Sequence, residues 1–333
     1  MLTNLLRSIP ILCYHDVGTQ GEGPHLFETH LQVIKEMGFK TISVKTLYEI
    51  VTKKRNLDDK YIVLTFDDCH ISNWIYTVPL LVKYGFTGVF FAITDFIVEG
   101  KKRVARDVPR LEKLSNAFRL ALSKNDYSQF MNLAELKSLI NDYNMEVYSH
   151  SSRHAPCFIT LKNKTSYREG CSHWGVLSIY SSVRSGLPVF PIGSAYAYDG
   201  YWPKEREKGE QGIEIDGVYF EKREPAQRYE FCLQDFKASY KRIREINKKD
   251  DFQLFCWPWG HFDKLSLKAL QEAGFKGSFT LERFYNGPGT NPFRLNRIGV
   301  AKNKDAKWLR NRLLMHSNGL GSRIFFKFFR KKD

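Results

Sequence analysis

Short apolar runs alternate with amphipathic segments along most of the chain. The runs have the composition of buried parallel strands, and the segments between them carry apolar residues at helical spacing. The predicted strands are 10–14, 61–66, 87–93, 145–149 and 253–257. The predicted helices are 30–37, 45–54, 74–84, 133–143, 233–246 and 265–273. This alternation predicts an α/β fold built on a parallel sheet or barrel.

Two long stretches interrupt the alternation. Residues 100–130 are basic and partly helical in pattern, and residues 158–228 are rich in Gly, Tyr, Ser and charge without a regular period. An irregular segment of that length is usually functional or a small subdomain, so we expect 158–228 to cap the site of the barrel. The predicted organisation is a barrel over 1–304 that contains both insertions, followed by a C-terminal helix and a basic aromatic tail over 305–333.

Composition changes this picture mainly through charge. The 333 residues include 51 basic and 36 acidic side chains, a net charge of +15 that favours anionic partners such as phosphates or lipid headgroups. No nucleic-acid-binding motif accompanies the charge, so nucleic acid is not an expected partner. The opening residues do not resemble a signal peptide, and no apolar run approaches the roughly 18 residues of a membrane-spanning helix. We therefore expect a cytoplasmic protein whose six cysteines are buried thiols without disulfides.

Candidate chemistry begins with two adjacent carboxylates, Asp67 and Asp68, directly after the predicted strand 61–66. The carboxyl ends of strands are where α/β folds place their ligands, and two neighbouring carboxylates there resist joint ionisation unless a cation compensates them. An N-cap or turn pair is the alternative.

His150 and His154 follow the strand 145–149 four residues apart, so one helical turn or a tight loop would bring both imidazoles to one metal ion. A chance pair of surface histidines is the alternative here.

A third cluster, Pro258-Trp259-Gly260-His261, follows the strand 253–257. A Pro-x-Gly turn suits a backbone N–H, here that of Trp259, that points at a developing oxyanion, and aromatic faces suit sugar rings. An ordinary aromatic turn is the alternative.

Together the three clusters resemble the motifs of the polysaccharide deacetylase family, whose catalytic unit is also called the NodB-homology or carbohydrate esterase type. Residues 65–69 (Thr-Phe-Asp-Asp-Cys) match four of the five positions of its Thr-Phe-Asp-Asp-Gly motif, and residues 150–154 match its His-Ser/Thr-x-x-His motif fully. The 258–263 turn is similar to that of poly-N-acetylglucosamine deacetylases. The resemblance implies a distorted (β/α)7-type barrel, Asp67 as general base, and a metal bound by Asp68, His150 and His154. That ligand set suits Zn²⁺, with Co²⁺, Ni²⁺ or Fe²⁺ as substitutes.

Three positions depart from the family pattern. Cys69 replaces a glycine, and Cys256 stands where many members carry the arginine that pairs with the base. The Leu-x-His general acid has no match in a comparable setting, because Leu314-Met315-His316 lies in a predicted helix. His15, at the end of the first strand, is the preferred general acid, with His261 as an alternative. Cys69, Cys157 and Cys256 also leave a mixed Cys/His metal site open.

The resemblance and the charge together suggest the substrate. We expect N-deacetylation of an N-acetylated sugar in a glycan or in a lipid- or nucleotide-linked glycan precursor, because a cytoplasmic location favours precursors over exported polymers and a basic surface suits phosphates. The alternatives are a metal-dependent amidase, an O-deacetylase and a catalytically degenerate glycan- or membrane-binding relative.

The tail 322–333 places four phenylalanines opposite most of its basic residues, as an interfacial helix does, which predicts contact with an anionic inner membrane face. A basic terminus packed on the barrel is equally compatible, and the sequence does not indicate an oligomeric state.

Overall fold

The computed structural model describes residues 7–19, 23–205, 212–248, 250–301 and 303–329, without the side chains of 325, 326, 328 and 329. Predictions about the first six residues, the side chains of the tail phenylalanines and residues 330–333 therefore lie outside what the structure describes. The strands are β1 (Ile11–Tyr14), β2 (Lys40–Thr41), β3 (Tyr61–Phe66), β4 (Val89–Ala92), β5 (Glu146–Ser149), β6 (Pro156–Phe158), β7 (Thr165–Ser166), β8 (Pro188–Val189), β9 (Ile192–Ser194), β10 (Tyr201–Lys204), β11 (Ile213–Ile215), β12 (Val218–Lys222), β13 (Leu254–Cys256), β14 (Gly277–Phe279) and β15 (Ile298–Gly299). The helices are α1 (Pro24–Glu36), α2 (Val44–Val51), α3 (Val78–Tyr84), α4 (Leu114–Lys124), α5 (Leu133–Asn141), α6 (Val176–Ile179), α7 (Pro225–Ile246), α8 (Lys264–Glu272), α9 (Ala306–His316) and α10 (Gly319–Phe329).

Seven parallel strands form a curled sheet in the order β14-β13-β5-β4-β3-β1-β15, with β2 paired beside β3. The segment 295–299 spans the seam of this sheet, because Leu295 pairs with Phe279 of β14 and Ile298 pairs with Leu12 of β1. Parallel strands that are all connected by crossovers place their carboxyl ends at one rim. The predicted (β/α)7-type barrel is confirmed, and its rim collects the residues that follow β1, β3, β5 and β13.

Several element boundaries differ from the prediction. Helix α1 begins at Pro24, six residues earlier than expected, and α7 begins at Pro225. Proline is favoured in the first turn because its missing N–H has no intrahelical partner there. A capping box between Glu224 and Gln227 strengthens the start of α7. The short strands β14 and β15 were not predicted, because two or three residues show no measurable period.

The insertion 158–228 forms a small antiparallel sheet in the order β11-β12-β10-β6-β9, which begins on β6 just after the histidine loop. Its own apolar cluster contains Phe158, Phe190 and Phe220, all buried. The insertion therefore has a core of its own and ends where α7 begins, four residues before the predicted boundary.

The C-terminal helices pack on the barrel. Leu309 and Leu313 of α9 are buried in the same apolar cluster as residues of β1 and α1. His316 ends α9 and is buried at its last turn, so it lies in a helix, as expected. Among the helices in the described ranges, none combines the length and apolar character needed to cross a bilayer.

Glu146, the half-buried first residue of β5, makes stability pH-dependent. Its carboxylate accepts hydrogen bonds from the Val44 N–H (2.8 Å) and the Tyr148 hydroxyl (3.0 Å). Burial raises the pKa of Glu146 to about 7, although both hydrogen bonds oppose the change. Because the folded chain then binds this proton more tightly than the unfolded chain, the contribution of Glu146 to stability falls as pH rises from about 4.5 to 7.

We expect Glu146→Gln to remove this dependence. The glutamine oxygen can accept from Val44 while its NH₂ donates to the Tyr148 oxygen, so the variant should be more stable than the wild type above pH 7, by about 1–3 kcal/mol, and should lose that advantage below pH 5. Urea unfolding of both proteins at pH 5 to 8 measures the difference, and the exposed Glu99→Gln serves as the control. A difference that stays constant over this range would contradict the prediction.

Candidate active site

Two neighbouring loops bring Asp68, His150 and His154 together at the rim. The Nε2 atoms of His150 and His154 lie 3.5 and 3.8 Å from Asp68 Oδ1, and one ligand atom of each residue lies within 4.8 Å of the other two. All three side chains are buried. The structure therefore joins the predicted metal ligands into one candidate site.

The turn after β3 aims the two carboxylates in different directions. Asp68 and Cys69 adopt left-handed φ angles of 66° and 50°, a conformation that usually favours glycine. Cys69 thus keeps the turn geometry expected of the glycine that it replaces, at a cost of about 1–3 kcal/mol per strained residue. Strain of this kind persists only where the surrounding structure holds it.

The histidines lie on a tight loop and not on a helical turn. Ser151 and His154 have φ angles of 71° and 49°, and the His154 N–H donates to Ser151 Oγ (2.9 Å). From behind, Asp235 of α7 accepts the Ser152 N–H (2.9 Å) and the Tyr196 hydroxyl (3.1 Å). These bonds set the loop so that both imidazoles face Asp68.

The protonation states fit a bound cation. Burial lowers the pKa of His150 to about 4 and also lowers that of His154, so both rings are neutral near pH 7. His150 Nδ1 donates to the Cys256 carbonyl (2.9 Å), which leaves Nε2 as the ligand atom. Burial and the neighbouring Asp67 raise the pKa of Asp68, whose Oδ1 is buried without a hydrogen-bond partner among the described residues. A metal ion or a water molecule is the usual partner of a buried acceptor in this state.

Arg297 holds Asp67 in a bidentate ion pair, a contact that the sequence did not indicate. Its guanidinium donates to Asp67 Oδ1 (2.6 Å) and Oδ2 (2.9 Å), and to the carbonyl of Thr280 (3.1 Å). Burial alone would raise the pKa of Asp67, but Arg297 and nearby histidines outweigh it and lower the pKa below its ordinary value. Asp67 therefore stays ionised, and the orienting partner missing at Cys256 comes from the seam segment 295–299.

Two thiols also contact Asp67. Cys13 Sγ and Cys256 Sγ lie 3.5 and 3.6 Å from its Oδ2. Both thiols could join alternative ligand groups that include Asp67. Burial raises the pKa of each thiol, however, and a protonated thiol donates to the carboxylate instead of binding metal.

Cys69 and Cys157 belong to no candidate metal group in the described ranges. All six cysteines are free, as predicted, but Cys171 is exposed, which corrects the expectation that all are buried.

His15 lies beside the candidate base. Its Nε2 is 3.9 Å from Asp67 Oδ2, and its side chain is 42% exposed, so it reaches both the carboxylate and solvent. His316 belongs to none of the candidate metal-binding groups found among the described residues. His15, the preferred candidate acid, therefore lies beside Asp67 at the rim.

The third motif contributes one aromatic wall. The Trp259 ring lies 4.2 Å from the His154 ring, edge to face, and the residue has a left-handed φ of 56°. Gly260 passes so close to Leu281 that an added Cβ would lie 2.8 Å from its backbone nitrogen, so only glycine fits. Pro258 is buried at the start of this turn, whereas His261 is exposed and its ring is 6.0 Å from that of Tyr198. Trp259 therefore faces the ligand cluster, and His261 faces the insertion.

Both insertions reach His154. Phe118 of α4 and Trp174 stack at 4.0 Å, and their rings lie 5.5 and 5.6 Å from the His154 ring. Trp174 is also parallel to Trp259, with 5.8 Å between ring centroids. The aromatic cluster of Phe118, Trp174 and Trp259 covers one side of the candidate metal site, and two of its three members come from the insertions.

Known proteins share this architecture. A poly-β-1,6-N-acetyl-D-glucosamine N-deacetylase of Escherichia coli K12 is 20% identical over 250 residues, which are 75% of this chain and 29% of that protein. The structure of IcaB from Ammonifex degensii matches with a TM-score of 0.58 at 15% identity and covers 92% of this chain and 97% of the other. A de-N-acetylase from Aggregatibacter actinomycetemcomitans matches with a TM-score of 0.59 at 17% identity, over 91% and 99% of the two chains.

Similarity at this level of identity establishes the fold alone, and the chain spans less than a third of the length of the curated relatives that it matches. The family model described as polysaccharide deacetylase matches residues 54–278, more than half of the chain. That range contains the turn with Asp67 and Asp68, the histidine loop and the Pro258–Gly260 turn. With this match and the barrel that carries it, the chain belongs to the polysaccharide deacetylase family.

Proposed function

We propose that this protein is a metal-dependent hydrolase that removes acetyl groups from N-acetylated sugars. The observation that best supports the proposal is the buried Asp68 Oδ1, which faces two neutral imidazoles and lies beside a second carboxylate that Arg297 keeps ionised. Family membership and the N-deacetylase named among the relatives support the reaction class.

The proposed mechanism assigns one group of residues to the metal and single residues to the other steps. Asp68, His150 and His154 would hold a divalent cation, most favourably Zn²⁺, which supplies Lewis-acid polarisation of a carbonyl or water oxygen when bound. Asp67 would accept the proton of the attacking water, and Arg297 would fix its orientation. The Trp259 N–H would donate to the oxyanion, and His15 would give a proton to the leaving amine.

The substrate carrier is part of the same proposal. A net charge of +15 supports a phosphate-linked precursor, bound to a lipid or to a nucleotide. A site of action at the inner membrane face remains a prediction that rests on the basic aromatic tail. The alternative of a degenerate relative rested partly on a missing arginine, and Arg297 removes that reason. An amidase or O-deacetylase would use the same residues and differs only in the substrate.

An acetate-release screen with metal analysis tests the proposal. We expect purified protein to bind about one divalent ion. Loss of a residue that only hydrogen-bonds to a metal ligand weakens metal binding by roughly 10–100-fold, so His150→Ala or His154→Ala, which removes a ligand, should weaken it by more. The exposed His25→Ala is the control. Chelation should stop acetate release from N-acetyl sugars, and Zn²⁺ or Co²⁺ should restore it. Release from O-acetyl substrates alone, or undiminished release by the metal-free protein, would overturn the proposal.

A further inference from the structure

A cavity of about 700 Å³ opens beside the candidate active site, between the end of β1, α1 and residues 281, 283, 299–301 and 303. Cys13 and His15 line it, and both also contact or approach Asp67, at 3.5 and 3.9 Å. The cavity therefore lies next to the candidate reaction centre, on the side of Asp67 where His15 lies.

The wall of this cavity is mostly hydrocarbon. Its apolar members include Val17, Leu26, Phe27, Leu114, Leu281 and Val300. Two polar wall residues are already paired, because the Tyr14 hydroxyl bonds to His30 Nδ1 (3.1 Å) and His30 Nε2 bonds to the Lys304 carbonyl (2.5 Å). A sugar ring or a nucleobase would find few partners for its polar edges here, whereas an alkyl chain needs none.

A positive charge marks the exposed part of the wall. Arg283 lines the cavity and is exposed, and no carboxylate in the described ranges lies within 4 Å of its guanidinium. It adds to the effect of burial in lowering the pKa of Arg312, so a second guanidinium lies near Arg283 and does not neutralise it. The acidic wall residue Asp16 accepts the Leu114 N–H (3.1 Å) and lies near enough to Asp68 to raise the pKa of that carboxyl, at the catalytic end.

We propose that the cavity binds the apolar chain of a lipid-phosphate-linked N-acetyl sugar, with the phosphate at Arg283 and the acetamide at Asp67. This inference rests on the proposed function and selects the lipid carrier over the nucleotide. In a 2-acetamido sugar the anomeric carbon is the neighbour of the carbon that bears the acetamide. A phosphate attached to the anomeric carbon is therefore close to the reaction centre and can extend from it into the adjacent cavity. An amphiphile with one anionic group matches an apolar wall that has one uncompensated arginine.

Gly299 is a position at which a larger side chain can fill part of the cavity. It lines the cavity, its φ lies outside the left-handed region, and an added Cβ would meet no heavy atom within 4 Å. We expect Gly299→Leu to weaken binding of geranyl phosphate about tenfold or more, because each methylene kept from an apolar wall is worth roughly a factor of four. The preference for a geranyl-phosphate-linked over a methyl-linked N-acetylglucosamine, as a ratio of kcat/KM values, should fall by a similar factor.

The charge is tested separately. Arg283→Gln should weaken binding of geranyl phosphate about tenfold and leave binding of geraniol the same, since a charge-assisted hydrogen bond to phosphate is lost. Arg106→Gln, at an arginine with an 88% exposed side chain, is the matched control. Isothermal titration with geranyl phosphate, geraniol and inorganic phosphate separates the contributions of chain and anion.

Binding and turnover are measured independently, so this proposal and the proposed function can fail separately. Geranyl phosphate that binds no more tightly than inorganic phosphate, or that binds Gly299→Leu as well as the wild type, would overturn the lipid cavity. The lipid cavity would also be overturned if kcat/KM were higher for the nucleotide-linked sugar than for the geranyl-phosphate-linked sugar, and if Gly299→Leu reduced both values equally. Tight binding that Gly299→Leu abolishes, without acetate release from any sugar, would support the cavity and reject the deacetylase.

Discussion

Replacing Asp67 by asparagine is expected to lower kcat/KM for acetate release by about 10²–10⁴-fold, the usual contribution of a general base. The amide keeps the size of the side chain but cannot accept the proton of the attacking water. Because Asp67 is not in the Asp68–His150–His154 group, the variant should retain its divalent ion. Steady-state kinetics together with metal analysis on the same sample measures both effects.

Asp59→Asn is a suitable control, because this carboxylate is partly exposed and pairs with Lys40 at the surface. It should leave kcat/KM within about twofold of the wild type, since exposed ion pairs contribute little. If Asp67→Asn, with its metal retained, hydrolyses the substrate at more than half of the wild-type rate, Asp67 is not the base.

The second large effect concerns the partner of this carboxylate. Arg297→Met is expected to reduce the free energy of unfolding by about 3–5 kcal/mol, because it leaves Asp67 as an uncompensated charge in a buried position. Both side chains are nearly inaccessible, at 0% and 3% exposure. Arg294→Met removes an exposed pair with Glu282 and should lose less than about 1 kcal/mol, so it controls for the loss of an arginine nearby.

A double-mutant cycle distinguishes a lost ion pair from a general loss of packing. When Asp67→Asn is combined with Arg297→Met, neither charge remains, and the combined loss of stability should be clearly smaller than the sum of the single losses. Urea unfolding of the four proteins supplies the values. Strict additivity would show that the bidentate contact does not account for the effect of Arg297.

The sequence predicted the parts of this site that are local. Asp67-Asp68 and His150-x-x-x-His154 each fall within a few residues of a recognisable strand, so periodicity and spacing made them candidates, and the family resemblance supplied their roles. Arg297 was not predicted because it meets Asp67 across 230 positions of chain, and it lies just before a strand of two residues that has no detectable period. An arginine inside the short run Leu295 to Val300 was the available signal.

The difference between local patterns and distant contacts also explains why the structure of the insertion was not predicted. Residues 158–228 lack a pattern because their strands are two to five residues long, yet they form a sheet and place Trp174 at His154. Cys69 shows the converse, since its resemblance to a glycine position was visible but its left-handed φ of 50° could only come from coordinates. Contacts distant along the chain and backbone strain are the two properties that local patterns do not report.

The seam segment 295–299 also affects when the site can mature. Its pairing with β14 and β1 is the last step that completes the sheet along the chain, and it brings Arg297 to a carboxylate 230 positions earlier. A growing polypeptide on the ribosome would carry Asp67 without its counter-charge until nearly all of the barrel had emerged, and long-range pairings of this kind form slowly. Asp67 would therefore acquire the partner that orients it and offsets its burial only when the barrel is almost complete, which makes assembly of the candidate site a late event in biosynthesis.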